Sequence, residues 1–136
     1  MLVVDASAVT ELVLGRPAGD VVGEHLADHR FALHAPHLID VEVLSALRRL
    51  VASGEATAAR ADEAIADLLD LPIERYPHDI LVPRIWELRD NFSAYDAGYV
   101  ALAEAVTEEP VPLLTADARL ARVIAAHCDV PVLLAA

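Results

Sequence analysis

The sequence predicts an α/β fold: one domain over residues 1–136, with a central, mostly parallel sheet flanked by helices. Three observations lead there. The chain is 136 residues long, a length for one domain, and 56% of it is hydrophobic, enough to build a real core. Short apolar runs alternate with longer stretches of helical periodicity, the pattern of a parallel sheet whose connections are helices. Acidic residues follow directly on two of the apolar runs, and open parallel sheets bind ligands outside the carboxyl ends of their strands.

Taken in order, Leu2 to Asp5 reads as a buried strand and Ala8 to Leu14 as a helix ended by Gly15, Arg16 and Pro17. Ala18 to Ala27 reads as a second helix and Phe31 to His34 as a second strand. Pro36 opens a long helix through Val51, which Gly54 closes. Thr57 to Leu69 is helical up to Pro72, and Ile73 to Arg75 is a short strand. Asp79 to Arg89 is a helix that carries Pro83 in its first turns, where a missing N–H costs little. Ser93 to Val106 is a helix, Pro112 to Thr115 a strand, Ala118 to Ala126 a helix and Val132 to Leu134 a last strand.

Composition narrows the chemistry. Twenty-two acidic residues stand against ten basic ones, for a net charge of −12, and every base is Arg because the chain has no Lys. Mechanisms that need a catalytic lysine are excluded. Nonspecific attraction of nucleic acid by bulk charge is disfavoured, whereas an acidic, metal-filled nuclease centre is not. The single cysteine, Cys128, allows neither a disulfide framework nor a cysteine zinc site. The N-terminus shows no basic n-region and no apolar run long enough to span a bilayer, so the expected setting is the cytoplasm, without a membrane.

Four carboxylates call for an explanation. Asp5 and Asp117 follow apolar strands and precede helices, so each could be a helix N-cap or a ligand at a strand end. Ser7 and Thr115 are hydroxyls beside them. Asp96 shares a helix face with Tyr99, Val100 and Ala103, an apolar face with no basic residue three or four positions away. Ser93 and Asp96 also match a capping box. Glu42 sits at the edge of the apolar arc of the long helix, beside Ala46 and near Arg49, and Asp40 in the first turn is its rival for any site there. Clustered carboxylates repel unless a cation joins them, and an all-oxygen set suits Mg²⁺ or Mn²⁺. Such ions activate water and clamp the oxygens of a phosphoryl displacement.

Four motifs, in order, resemble a known family. They are Val3-Val4-Asp5-Ala6-Ser7-Ala8; Ala35-Pro36-His37-Leu38 running on to Glu42-Val43-Leu44 and Leu47-Arg48-Arg49; Tyr95-Asp96-Ala97 with Tyr99-Val100-Ala101-Leu102-Ala103; and Leu114-Thr115-Ala116-Asp117 with Arg119-Leu120-Ala121. The chain resembles the PIN-domain ribonucleases, in the group of VapC-type toxins of bacterial toxin–antitoxin pairs. The resemblance implies a PIN-like fold and a toxin endoribonuclease using Mg²⁺ or Mn²⁺ to cleave RNA through a metal-activated water. It implies Asp5, Glu42, Asp96 and Asp117 as the catalytic, metal-binding acids, with Ser7 and Thr115 in support. It also implies RNA as substrate, a small antitoxin protein as partner, and a homodimer.

Other readings fare worse on the residues. Aspartyl-phosphate receiver domains need a Lys that this chain lacks, and haloacid-dehalogenase-type enzymes need an Asp where Ser7 stands. A metal-dependent adhesion loop fails at Val9. A catalytically silent PIN-like interaction domain is the alternative that stays open. His25 and His29 have helical spacing, but Leu26 stands where a zinc-protease motif needs Glu. Aromatic residues make up 4% of the chain, too few for a binder built mainly on stacking, so RNA contact falls to Arg16, Arg48, Arg49, Arg119 or Arg122. Trp86 and Leu88 read as core or interface.

Overall fold

A computed structural model describes residues 1–30 and 32–136. The elements are β1 (Leu2–Val4), α1 (Ala6–Val13), α2 (Pro17–Asp28), β2 (Leu33–Pro36), α3 (Leu38–Ala52), α4 (Ala58–Asp70), β3 (Ile73–Tyr76), a 3₁₀ turn (Asp79–Leu81), α5 (Val82–Glu87), α6 (Ala94–Ala105), β4 (Leu113–Thr115), α7 (Ala118–His127) and β5 (Val132–Leu134). The five strands lie in the order β3-β2-β1-β4-β5, and every pair is parallel. The expected sheet flanked by helices is present.

β1 and β4 are three-residue strands buried along their whole length, which is why they read as uninterrupted apolar runs rather than alternating ones. α6 runs across β1, β2 and β4, and all residues from Ala97 to Ala103 are buried. Gly98 leaves room on its other side for the first residue of α3: a Cβ there would stand 3.2 Å from Leu38 Cδ2. α1 packs on α2, α3 and α4. Gly15, at φ +66°, ends α1 in the left-handed conformation that glycine adopts without strain.

Two expectations shift. The second strand is Leu33–Pro36, not Phe31 to His34; Phe31 lies outside the described residues. Pro36 therefore closes a strand instead of opening a helix. It sits past the last β1 pairing, Val3 with His34, so its missing N–H costs no ladder bond there, while His37 N–H donates to the Tyr76 carbonyl at 2.8 Å. The helix expected over Asp79 to Arg89 is a 3₁₀ turn followed by the short α5, with Pro83 in its first turn. Of the two residues read as core or interface there, Leu88 is buried and Trp86 is exposed, with the Arg89 guanidinium over its ring.

The chain builds outward from β1 to β2 and β3, then returns to place β4 and β5 on the other side. The direction reverses between β1 and β4. That switch point opens a crevice at the carboxyl ends of these two strands.

Candidate active site

Asp5 leaves β1 and Asp117 follows β4, so both stand at the switch point. Each is also the N-cap its position suggested. Asp5 Oδ1 accepts from the Ala8 N–H at 2.9 Å, and Asp117 Oδ1 accepts from the N–H groups of Arg119 at 2.9 Å and Leu120 at 3.1 Å. Capping uses one carboxylate oxygen and leaves the other for further duty, so the two roles do not exclude each other.

Hydroxyls tie the two strand ends together. Ser7 Oγ donates to Asp5 Oδ1 at 2.7 Å and Thr115 Oγ1 donates to Asp5 Oδ2 at 2.5 Å. Ser7 Oγ accepts from Ala116 N–H at 2.9 Å, and Thr115 Oγ1 accepts from Asp117 N–H at 3.0 Å. Asp5 is 4% exposed, and every one of these donors is neutral. Burial outweighs the hydrogen bonds and lifts its pKa from 3.8 to about 6, with the Asp96 charge adding to the rise.

α3 supplies Glu42. Its Oε1 accepts from the Tyr99 hydroxyl at 2.7 Å, and burial raises its pKa, with the nearby Asp96 charge acting in the same direction. Tyr99 is almost wholly buried, and its phenol is pushed far above its usual range, first by burial and then by the Glu42 charge. It therefore stays a neutral donor. The sequence reading put Tyr99 on the Asp96 face but missed this bond, which joins two helices across 57 positions and leaves no signal in local spacing.

Asp40, the rival, is elsewhere. Arg75 of β3 grips it with two hydrogen bonds, Nε at 2.7 Å and Nη2 at 2.8 Å. Residues two apart on a helix point about 200° apart, so Asp40 faces the sheet edge while Glu42 faces the crevice.

Asp96 lies in the first turn of α6. Ser93 Oγ caps the helix through the Asp96 N–H at 3.2 Å, as the capping-box pattern anticipated. The carboxylate itself turns to α7, where Arg119 Nη2 lies 3.1 Å from Asp96 Oδ2 and 3.5 Å from Asp117 Oδ2. No local pattern could show this pair, because it crosses 23 positions of sequence.

All four acids thus line one cleft of about 680 Å³, together with Ser7, Tyr99, Tyr95, Val41, Arg16 and Arg49. Of the arginines expected near the site, Arg16 and Arg49 line it, Arg119 reaches it only through Asp96 and Asp117, and Arg48 and Arg122 do not line it. Among the described residues, no three His, Cys, Asp or Glu side chains form a ready-made metal cage. Arg119 bridges two of the acids, Tyr99 holds the third and hydroxyls hold the fourth. The donor chemistry nonetheless fits a hard divalent cation: the acids offer oxygen only, and a carboxylate buried without a cation carries a cost that such an ion would remove. His29 Nδ1 bonds the His25 carbonyl at 2.8 Å, so this pair is not arranged as a zinc site. No helix among the described residues is long and apolar enough to cross a membrane.

The PIN domain family model matches residues 2–125. The chain belongs to the PIN-domain family. Within it, the chain is 42% identical over 134 residues to ribonuclease VapC9 of Mycobacterium tuberculosis, covering 97% of this chain and 98% of that one. It is 43% identical over 129 residues to ribonuclease VapC1 of the same organism, covering 94% of each. A solved structure, PAE2754 of Pyrobaculum aerophilum, superposes with a TM-score of 0.66 at 23% identity, over 96% of this chain and 81% of that one; it supports the fold alone. The PIN domain here therefore carries its acids at the switch point of a five-stranded parallel sheet.

Proposed function

We propose that this PIN domain is a metal-dependent endoribonuclease, the toxin of a toxin–antitoxin pair, restrained by a small antitoxin protein and acting as a homodimer. One observation carries the chemistry: four carboxylates face one cleft, and the exposed Arg119 is the one cation paired with any of them among the described residues. The relatives named ribonucleases support RNA as the substrate.

Asp5, Glu42, Asp96 and Asp117 would hold Mg²⁺ or Mn²⁺, which when bound supplies water activation and neutralises charge on the phosphate. Ser7 and Thr115 keep Asp5 in one orientation by donating to both of its oxygens. Tyr99 orients Glu42 without adding charge, and the Ser93 cap holds the α6 turn that presents Asp96. Arg119 is placed to move from the acids to a substrate phosphate, for which its forked donors are suited.

The test incubates wild type and Asp96→Asn with a pool of structured RNAs in Mg²⁺, Mn²⁺ or EDTA. Wild type should cleave in either metal, leaving 5′-phosphate and 3′-hydroxyl ends, and should stop in EDTA. Asp96→Asn should lose cleavage while the fold melts as before, because Asn keeps shape and removes only charge. Equal cleavage by both proteins, or cleavage in EDTA, would refute the metal mechanism; no cleavage by wild type would favour the silent interaction domain. The homodimer is checked by light scattering at micromolar concentration, where a monomer mass would overturn it. Trp86, with the exposed Ile80 and Val82 nearby in sequence, is the apolar surface available to such contacts.

A further inference from the structure

α3 lines the cleft with a continuous stripe, Val41, Ser45 and Arg49, beside a second stripe of Glu42, Ala46 and Leu50. Eight residues of helix carry this wall about 12 Å away from the acids. Arg49 stands at its far end. Its guanidinium donates to the Ser45 hydroxyl at 3.3 Å and its charge acts on Glu42, but it makes no ion pair among the described residues, unlike Arg16, whose Nε lies 3.5 Å from Glu11. At the acid end, two large side chains stay in water: Tyr95 is 63% exposed and Val41 69% exposed, and both line the cleft. Tyr95 is one residue from Asp96.

An exposed phenol ring, an exposed aliphatic group and an unpaired guanidinium in one acidic cleft ask for a ligand with a flat apolar part and an anionic part. We propose that Tyr95, Val41 and Arg49 form a nucleotide subsite for unpaired RNA beside the acids, a base stacking on Tyr95 against Val41 and a neighbouring phosphate held by Arg49. The subsite rests on the nuclease reading above and adds how that site selects its strand. Only an unpaired base can offer its face to the ring, since duplex bases are already stacked on both sides. Stacking tolerates any base, so the subsite selects strand state more than sequence.

The test measures fluorescence anisotropy of labelled octaribonucleotides of A, C or U with the Glu42→Gln protein in Mg²⁺, a background that removes one cleft charge and keeps the acceptor for Tyr99. Adding Tyr95→Ala should weaken binding of all three about tenfold, whereas Tyr95→Phe should stay within about twofold. Arg49→Ala should lower the slope of log affinity against log salt by about 0.7, one phosphate contact on a single strand. In the otherwise wild-type enzyme, Tyr95→Ala should raise KM with kcat little changed. Equal binding with and without Tyr95→Ala, an unchanged salt slope with Arg49→Ala, or no binding by the Glu42→Gln parent up to millimolar RNA would each overturn the subsite. Loss of antitoxin binding by Tyr95→Ala with RNA binding unchanged would assign the surface to protein instead. The nuclease reading fails separately, if wild type cleaves nothing while Tyr95-dependent binding persists.

Discussion

At the β3 edge of the sheet, Asp40 accepts two hydrogen bonds from Arg75; in the crevice at its middle, Glu42, two residues along the same helix, accepts one from a neutral phenol. The first arrangement is complete, with charge and geometry both satisfied. The second fixes the carboxylate in space without an ion pair, with only the field of Arg49 acting on its charge, and Asp5 repeats the arrangement with two hydroxyls and a backbone N–H. The structural acid Asp40 has its own cation, whereas these two acids are oriented by neutral donors and have no ion-pair partner among the described residues. The difference separates two carboxylates that sequence alone treats as rivals.

The largest effect expected from this contrast is at Asp5. Its pKa is raised from 3.8 to about 6, so the folded protein holds the proton more tightly than the unfolded chain. The associated stability is full below 3.8 and is lost as pH rises through about 6, at most about 3 kcal/mol. In EDTA, Asp5→Asn should therefore melt higher than wild type at pH 7, and the gap should shrink toward pH 4. Millimolar Mn²⁺ should raise the wild-type melt at pH 7 and leave the variant nearly unmoved. A gap that does not change with pH would break the comparison.

Next in size is Tyr99→Phe. The ring still fills the core, but Glu42 loses its donor. Removing such an orienting partner should cost roughly 10–100-fold in cleavage and about 1 kcal/mol in stability. A variant that is less stable yet fully active would make Tyr99 merely structural.

The smallest effect belongs to the sheet edge. Arg75→Ala should lower stability by about 1 kcal/mol, since both partners keep part of their surface in water. Asp40→Asn should leave cleavage and metal response unchanged. Loss of activity in Asp40→Asn would put it back in competition with Glu42.

These expectations also mark where sequence reading stops. Asp5 and Asp117 were legible because a charge directly after a buried apolar run is conspicuous, and Asp96 because its helix face is otherwise apolar. β2 was misplaced by two residues because Pro36 reads as a helix opener, and only its position past the β1 pairing shows that its missing N–H is harmless. The low aromatic share argues only against a binder built mainly on stacking and says nothing of Tyr95, whose exposure in the cleft only the packed fold shows.

By itself the sequence determined the alternation of strand and helix, the helix caps and the four acids, because burial periodicity, capping and charge beside apolar runs are local properties. Tertiary structure decided which acid found which partner. Asp40 met Arg75 across 35 positions, Glu42 met Tyr99 across 57 and Asp5 met Thr115 across 110. Such pairings depend on strand order and on the turn of each helix about its own axis. Spacing along the chain carries neither, so only the packed sheet could separate the acid that pairs with an arginine of the sheet edge from those held by neutral donors in the cleft.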